Sequence, residues 1–126
     1  MKKNILIAGA SGGIGKEFTR LYCDDPDVEK VIALSRKMIN IDNPKIQSIE
    51  VDYSREETFD NLNDILQLES INTIIVATGI LHTDQIKPEK SIAGVDLVTL
   101  QKVFQVNVFG PTLLAVSYTH LTLPTI

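Results

Sequence analysis

The sequence predicts an α/β fold built on a parallel sheet, and two observations carry that prediction. Short, nearly continuous apolar runs of strand length recur along the chain, separated by segments whose apolar residues follow helical spacing. Between the first run and the first helical segment lies a turn holding Gly9, Gly12, Gly13 and Gly15, the punctuation that a strand-to-helix crossover needs.

Asn4 to Ala8 is an apolar run, as expected of a strand buried on both faces. After the turn from Ser11 to Gly15, Lys16 to Cys23 carries Phe18, Leu21 and Tyr22 on helical spacing and stops before Asp24-Asp25-Pro26. Val28 to Ser35 is a second strand through Val31, Ile32, Ala33 and Leu34, and Arg36 to Pro44 is short and polar, a loop or single turn rather than a full helix. Ile46 to Val51 alternates apolar and polar residues and reads as a third strand. Ser54, with Glu57 three residues on, fits a capping box that opens a helix through Phe59, Leu62, Ile65 and Leu66. Thr73 to Ala77 is the fourth strand, ending at Thr78-Gly79. Ile80 to Gly94 reads as a loop with room for one helical turn. From Asp96 onward, Leu97, Leu100, Val103, Phe104, Val108, Leu113 and Leu114 predict one long helix, with Gly110-Pro111 inside it. Strands alternating with helices imply right-handed crossovers between parallel strands.

The 126 residues, 44% hydrophobic and 22% charged, suit one globular domain with its own core. A net charge of −4 and an isoelectric point near 5.1 give no electrostatic reason to expect nucleic acid or an anionic membrane as partner. Cys23 is the only cysteine, which excludes an internal disulfide and, with two histidines, argues against a structural zinc site. Lys2-Lys3 followed by Ile5 to Ala8 has the look of a signal peptide, yet the apolar run is too short and meets glycines where a cleavage site should be. No stretch approaches the roughly 20 apolar residues of a membrane span. The expectation is a cytoplasmic protein with neither nucleic acid nor membrane as partner.

The sharpest motif is Gly9-Ala10-Ser11-Gly12-Gly13-Ile14-Gly15, between the first strand and the first helix. Glycine reaches positive φ in a tight turn, and without Cβ it lets a pyrophosphate approach the backbone. The following helix points free N–H groups and the positive end of its dipole at that phosphate. A ligand-free glycine turn is the bland alternative, weakened by the strand–turn–helix context. A P-loop is suggested by Gly15-Lys16 but fails, because Ala10 occupies its first glycine position and Glu17 stands where Ser or Thr should hold magnesium.

The spacing G-x-x-x-G-x-G, from Gly9, Gly13 and Gly15, resembles the short-chain dehydrogenase/reductase family. Several further sites agree in order. The second strand ends in Ser35-Arg36 with no acid to bond a ribose 2′-hydroxyl. A guanidinium there can pair with a 2′-phosphate, so the resemblance favours NADP(H) over NAD(H), with Lys37 as helper; a solvated loop cation is the alternative for Arg36. Asp52-Tyr53 matches the place where the family contacts adenine, although Asp52 could equally be a turn acid. Ala77-Thr78-Gly79 matches the family's N-A-G segment along the cofactor, with Ala77 and Thr78 in place of the usual residues. Asn107-Val108-Phe109-Gly110 resembles the family's N-V-x-G stretch, whose Asn helps position a water in a proton relay; a locally bonded polar residue is the alternative for Asn107. Gly79-Ile80-Leu81-His82 and Pro88-Glu89-Lys90-Ser91 resemble a C-factor-like subgroup, and His82 receives no role.

The resemblance implies a Rossmann-type sheet of order 3-2-1-4 with the nucleotide across its carboxyl ends, truncated before the later strands. It further implies hydride transfer between a nicotinamide and a carbonyl or alcohol substrate, and a homo-oligomer for the intact protein. It stops near Ala115. The family's Y-x-x-x-K has no match, since Tyr118 is followed by Thr119-His120-Leu121-Thr122. Val116 to Thr125 instead matches one reading frame of a transposase sequencing adaptor, with Ala115 and Ile126 fitting the bases on either side. The expectation is a nucleotide-binding half-domain over residues 1–115 and a non-native tail over 116–126. Strand four then forms an apolar edge prone to aggregation. Two rival functions remain open: a catalytically inert nucleotide sensor, and a signalling protein of the C-factor-like kind.

Overall fold

A computed structural model describes residues 2–68, 70–79 and 91–122. The elements run β1 (Lys3–Ala8), α1 (Gly13–Asp24), β2 (Val28–Ser35), β3 (Ile46–Glu50), α2 (Glu56–Leu68), β4 (Thr73–Val76), a single 3₁₀ turn (Ile92–Gly94), α3 (Leu97–Phe104), a π turn (Gln105–Phe109) and α4 (Gly110–Thr122). The four strands form one parallel sheet in the order β3-β2-β1-β4, the Rossmann-type arrangement expected. β1 is central: Ile5 and Ala8 stand opposite Val31 and Leu34 of β2 on one side, and opposite Thr73 and Val76 of β4 on the other. Parallel pairing puts all carboxyl ends on one edge, which is where the site is built.

The period-two alternation of a strand divides the core between the two sheet faces. Leu6, Ala8, Ile32 and Leu34 pack with Val51, Tyr53, with Phe59 and Leu62 of α2, and with Leu114 of α4. Their neighbours Ile5, Ile7, Val31 and Ala33 pack on the other face with Ala10, Val28 and Cys23, flanked by Phe18 and Tyr22 of α1. Full burial of the valine, leucine, isoleucine and phenylalanine side chains among these contributes about 1.5–3 kcal/mol each. β4, at the sheet edge, is less covered, and Val76 is 43% exposed.

Element boundaries differ from the sequence expectation where local chemistry intervenes. α1 begins at Gly13 rather than Lys16, so the glycine turn runs straight into the first helical turn. β3 ends at Glu50 and β4 at Val76, although Val51 and Ala77 still donate across the sheet to Ser35 and Ala8. Ser54 does not cap α2: its amide and hydroxyl both donate to Asp52, Glu57 pairs with Arg55, and the helix starts at Glu56. The long C-terminal helix is present but carries the π turn. Pro111 has no N–H, and its ring would crowd the carbonyl four residues back, at Asn107. The chain widens instead, and the Gly110 amide bonds the Gln105 carbonyl five residues back. Asp96 caps α3, accepting from the Thr99 amide at 2.9 Å.

Residues 80–90, including His82 and most of the subgroup signature, and residues 123–126 lie outside the described residues. Among the described residues no helix is long and apolar enough to cross a membrane, and no cluster of three His, Cys, Asp or Glu could hold a metal ion.

Candidate functional site

The strand ends are tied together by amides that reach one residue past each strand. Gly9 and Ala10 both donate to the Leu34 carbonyl, at 2.9 and 3.0 Å, Val51 donates to Ser35 at 2.9 Å, and Ala77 to Ala8 at 2.8 Å. Two glycines are dictated by this crossing. Gly9 has φ +81°, and a Cβ there would lie 2.6 Å from the Ala77 carbonyl oxygen. A Cβ on Gly15 would lie 2.0 Å from the Gly9 oxygen, so α1 sits directly on the turn. Gly13 is different: a Cβ there would meet nothing within 4 Å. The first helical bond joins the Lys16 amide to the Gly12 carbonyl at 2.8 Å. The amides of Gly13, Ile14 and Gly15 therefore have no intrahelical acceptor, and no acid occupies the first turn to compete for them. Ile14 is 70% exposed beside them.

At the end of β2, Ser35 is buried and its hydroxyl donates to the Lys37 carbonyl, while Arg36 and Lys37 are exposed. At the end of β3, Asp52 Oδ1 accepts from the Ser54 hydroxyl at 2.6 Å and from the Ser54 amide at 2.9 Å. Those two bonds, with smaller contributions from Arg55 and then Arg36, hold its carboxyl below the usual range against a partial opposing effect of burial. Asp52 thus makes the bonds of a turn acid.

Tyr53 is buried, its ring stacked on Phe59 at 6.0 Å between centroids. Its carbonyl accepts from Gln105 Nε2, and its ring lies against Gly110, where a Cβ would come within 2.6 Å of Cγ. Burial pushes the phenol pKa up, and the Thr78 hydroxyl opposes that shift. The two hydroxyls stop short of a hydrogen bond, and both are buried. Asn107 is exposed in the π turn, its amide oxygen 3.5 Å from where a Cβ of Gly79 would stand.

These pieces enclose a cavity of about 580 Å³, within the usual range for small-molecule sites. Of the residues singled out in sequence, Gly9, Ser11, Gly12, Ser35, Arg36, Asp52, Tyr53, Ala77, Thr78 and Gly79 line it. Gly13, Ile14, Gly15 and Asn107 do not: the first three form the helix start beside it, and Asn107 stands against Gly79. One wall was missed. Val98, Gln101, Lys102 and Gln105 also line the cavity. Their helical spacing marks them as one face, but nothing in the sequence says what that face looks onto.

No protein-family model matches the chain, and no curated protein matches it. Solved structures do. A short-chain dehydrogenase family protein from Francisella tularensis is 23% identical over 95% of this chain, with a TM-score of 0.81. A short-chain dehydrogenase from Leptospira borgpetersenii with bound NAD+ is 22% identical over 96%, with a TM-score of 0.80. The protein ElxO with NADP bound is 20% identical over 96%, with a TM-score of 0.77. The chain covers 46%, 46% and 50% of these proteins, about half their length. At this identity the likeness establishes the fold.

Proposed function

We propose that this chain is the nucleotide-binding half of an NADP(H)-dependent oxidoreductase of the short-chain dehydrogenase/reductase type. The observation that carries the proposal is the glycine turn opening α1 beside a cavity that Arg36 also lines. The residues present fit the cofactor. Free amides at Gly13, Ile14 and Gly15 suit a pyrophosphate, with Ser11 and Gly12 along its path, and the open space at Gly13 leaves room for it. Arg36, without a hydrogen bond or ion pair among the described residues, suits a 2′-phosphate next to Ser35. Asp52 and Tyr53 take the adenine end, and Ala77, Thr78 and Gly79 run along the cofactor.

When bound, the nicotinamide supplies the hydride chemistry for a carbonyl or alcohol substrate. Asn107, held against Gly79 by the π turn, orients a water in the proton relay. The relay's remaining members belong to a later half of the protein, in keeping with reading residues 116–126 as a non-native tail. The 126-residue chain then binds cofactor without turnover. The intact protein is read as cytoplasmic and homo-oligomeric. Sequencing the source DNA across codon 115 tests this: an open frame leading to Y-x-x-x-K supports it, and a frame that stops after Ile126 contradicts it. Thr122, in the place of the family's Lys, is the observation that favours a second reading, a nucleotide sensor without chemistry.

The cofactor assignment is tested by binding NADPH and NADH to the wild type and to Arg36→Ala. A charge-assisted bond is worth about 1.5–3 kcal/mol, so loss of Arg36 is expected to weaken NADPH by about tenfold or more and NADH by less than about twofold. Equal affinity of the wild type for both cofactors overturns the NADP(H) preference.

A further inference from the structure

Lys102 lines the cavity but belongs to neither the glycine turn nor a strand end. It shares one face of α3 and the adjoining π turn with Val98, Gln101 and Gln105, and all four border the cavity. Gln105 Nε2 donates to the Tyr53 carbonyl and holds this face against the end of β3. The end of β3 is in turn joined to that of β2 by the Val51 amide on the Ser35 carbonyl at 2.9 Å, and the charge of Arg36 reaches Asp52. Lys102, one helical turn before Gln105, thus borders the cavity that Arg36 also lines.

The charge balance of the lining points the same way. Among the described lining residues, Arg36 and Lys102 are the cations and Asp52 the acid, and Asp52 already accepts two bonds from Ser54. Lys102 is exposed and, like Arg36, makes no hydrogen bond or ion pair among the described residues; Asp96 acts on it only through space. Two cations from different elements, set against one acid already engaged by Ser54, leave the cavity lining short of negative charge. The pyrophosphate is served elsewhere, by the amides at the start of α1.

We propose that Lys102 is a second specificity-determining residue for the 2′-phosphate of NADP(H), acting from α3 across the cavity from the β2 end. The inference rests on the NADP(H) reading above and adds a cation that no strand-end motif announces. A compact ammonium on a long stem suits this work, since it can follow a phosphate without fixed fork geometry.

The test is equilibrium binding of NADPH, NADH and 2′,5′-ADP to the full 126-residue chain, as wild type, Lys102→Gln and Lys102→Arg. Lys102→Gln is expected to weaken NADPH and 2′,5′-ADP by about three- to tenfold, as for a partly solvated charge contact. NADH should change by less than about twofold, the salt dependence of NADPH binding should flatten, and Lys102→Arg should restore affinity. Because Lys102 is exposed, the thermal midpoint should not move. An equal loss for NADPH and NADH, or an unchanged preference, overturns the inference. Failure of the underlying reading looks different: the wild type itself then binds NADPH no tighter than NADH.

Discussion

Two glycines of the same turn should respond in opposite ways to the same substitution, Gly9→Ala and Gly13→Ala. At Gly9, φ is +81° and the new Cβ would sit 2.6 Å from the Ala77 oxygen and 2.8 Å from the Thr78 nitrogen. The left-handed backbone costs a non-glycine residue about 1–2 kcal/mol, and forcing backbone apart adds about 1–3 kcal/mol. A sum of about 2–5 kcal/mol is a large share of a typical domain stability of about 5–15 kcal/mol and lowers Tm by about 10 °C or more. At Gly13, in the first turn of α1, the new Cβ meets nothing within 4 Å. Alanine there should leave stability unchanged or raise it by up to about 1 kcal/mol through its better helix propensity. It should nevertheless weaken dinucleotide binding by about tenfold or more, about 1.4 kcal/mol, because in the proposed binding mode the space it fills lies along the pyrophosphate. Calorimetric melting and cofactor titration on both variants read the two effects separately. If Gly13→Ala melts as early as Gly9→Ala, or binds cofactor like the wild type, then Gly13 is not kept open for a ligand.

Gly110→Ala should also destabilise the fold, by about 1–3 kcal/mol, since its Cβ would press to 2.6 Å on the Tyr53 ring; a denaturant midpoint equal to wild type contradicts the packing described. Tyr53 supplies an alkaline signature. Burial raises its pKa in the folded state, so its contribution is complete below the ordinary tyrosine range and is lost as pH rises through the folded value. Stability measured from about pH 9 to 12 should fall less steeply in Tyr53→Phe than in the wild type; parallel curves refute this. β4 is an edge strand with Val76 43% exposed, and the α3–α4 surface shows Phe104, Val108, Phe109 and Leu113 at 42–49%. The chain alone should self-associate with rising concentration; a monodisperse monomer in light scattering with a cooperative melt would count against that.

The sheet was legible because β1 and β2 are buried apolar runs, β3 alternates and β4 is a short apolar run, while the order β3-β2-β1-β4 came with the family resemblance that the glycine turn carries. The strand-end residues of the site were legible for the same reason: parallel pairing must bring Gly9, Ser35, Asp52 and Ala77 to one edge. What failed did so through competition or tertiary contact. Ser54 has the sequence of a helix cap, but Asp52, two residues away, takes both its donors. Pro111 was a sufficient warning of a break in the long helix, yet hydrophobic spacing ran through it because a π turn keeps the chain helical. The cavity wall of Val98, Gln101, Lys102 and Gln105 depends on how α3 docks, which Gln105 settles by bonding the backbone of Tyr53, a residue 52 positions away. No local pattern encodes that bond.

The central claim, that the amides opening α1 and the β2 end together hold a phosphorylated dinucleotide, is met most directly by titrating the isotopically labelled chain with NADPH and following backbone amide resonances. The account predicts saturable shifts at Gly13, Ile14 and Gly15 and at Arg36, with the two regions reporting one dissociation constant. With NADH, the Gly13–Gly15 shifts should persist while those at Arg36 are lost. Absence of saturable shifts at Gly13 to Gly15 with either cofactor would contradict it.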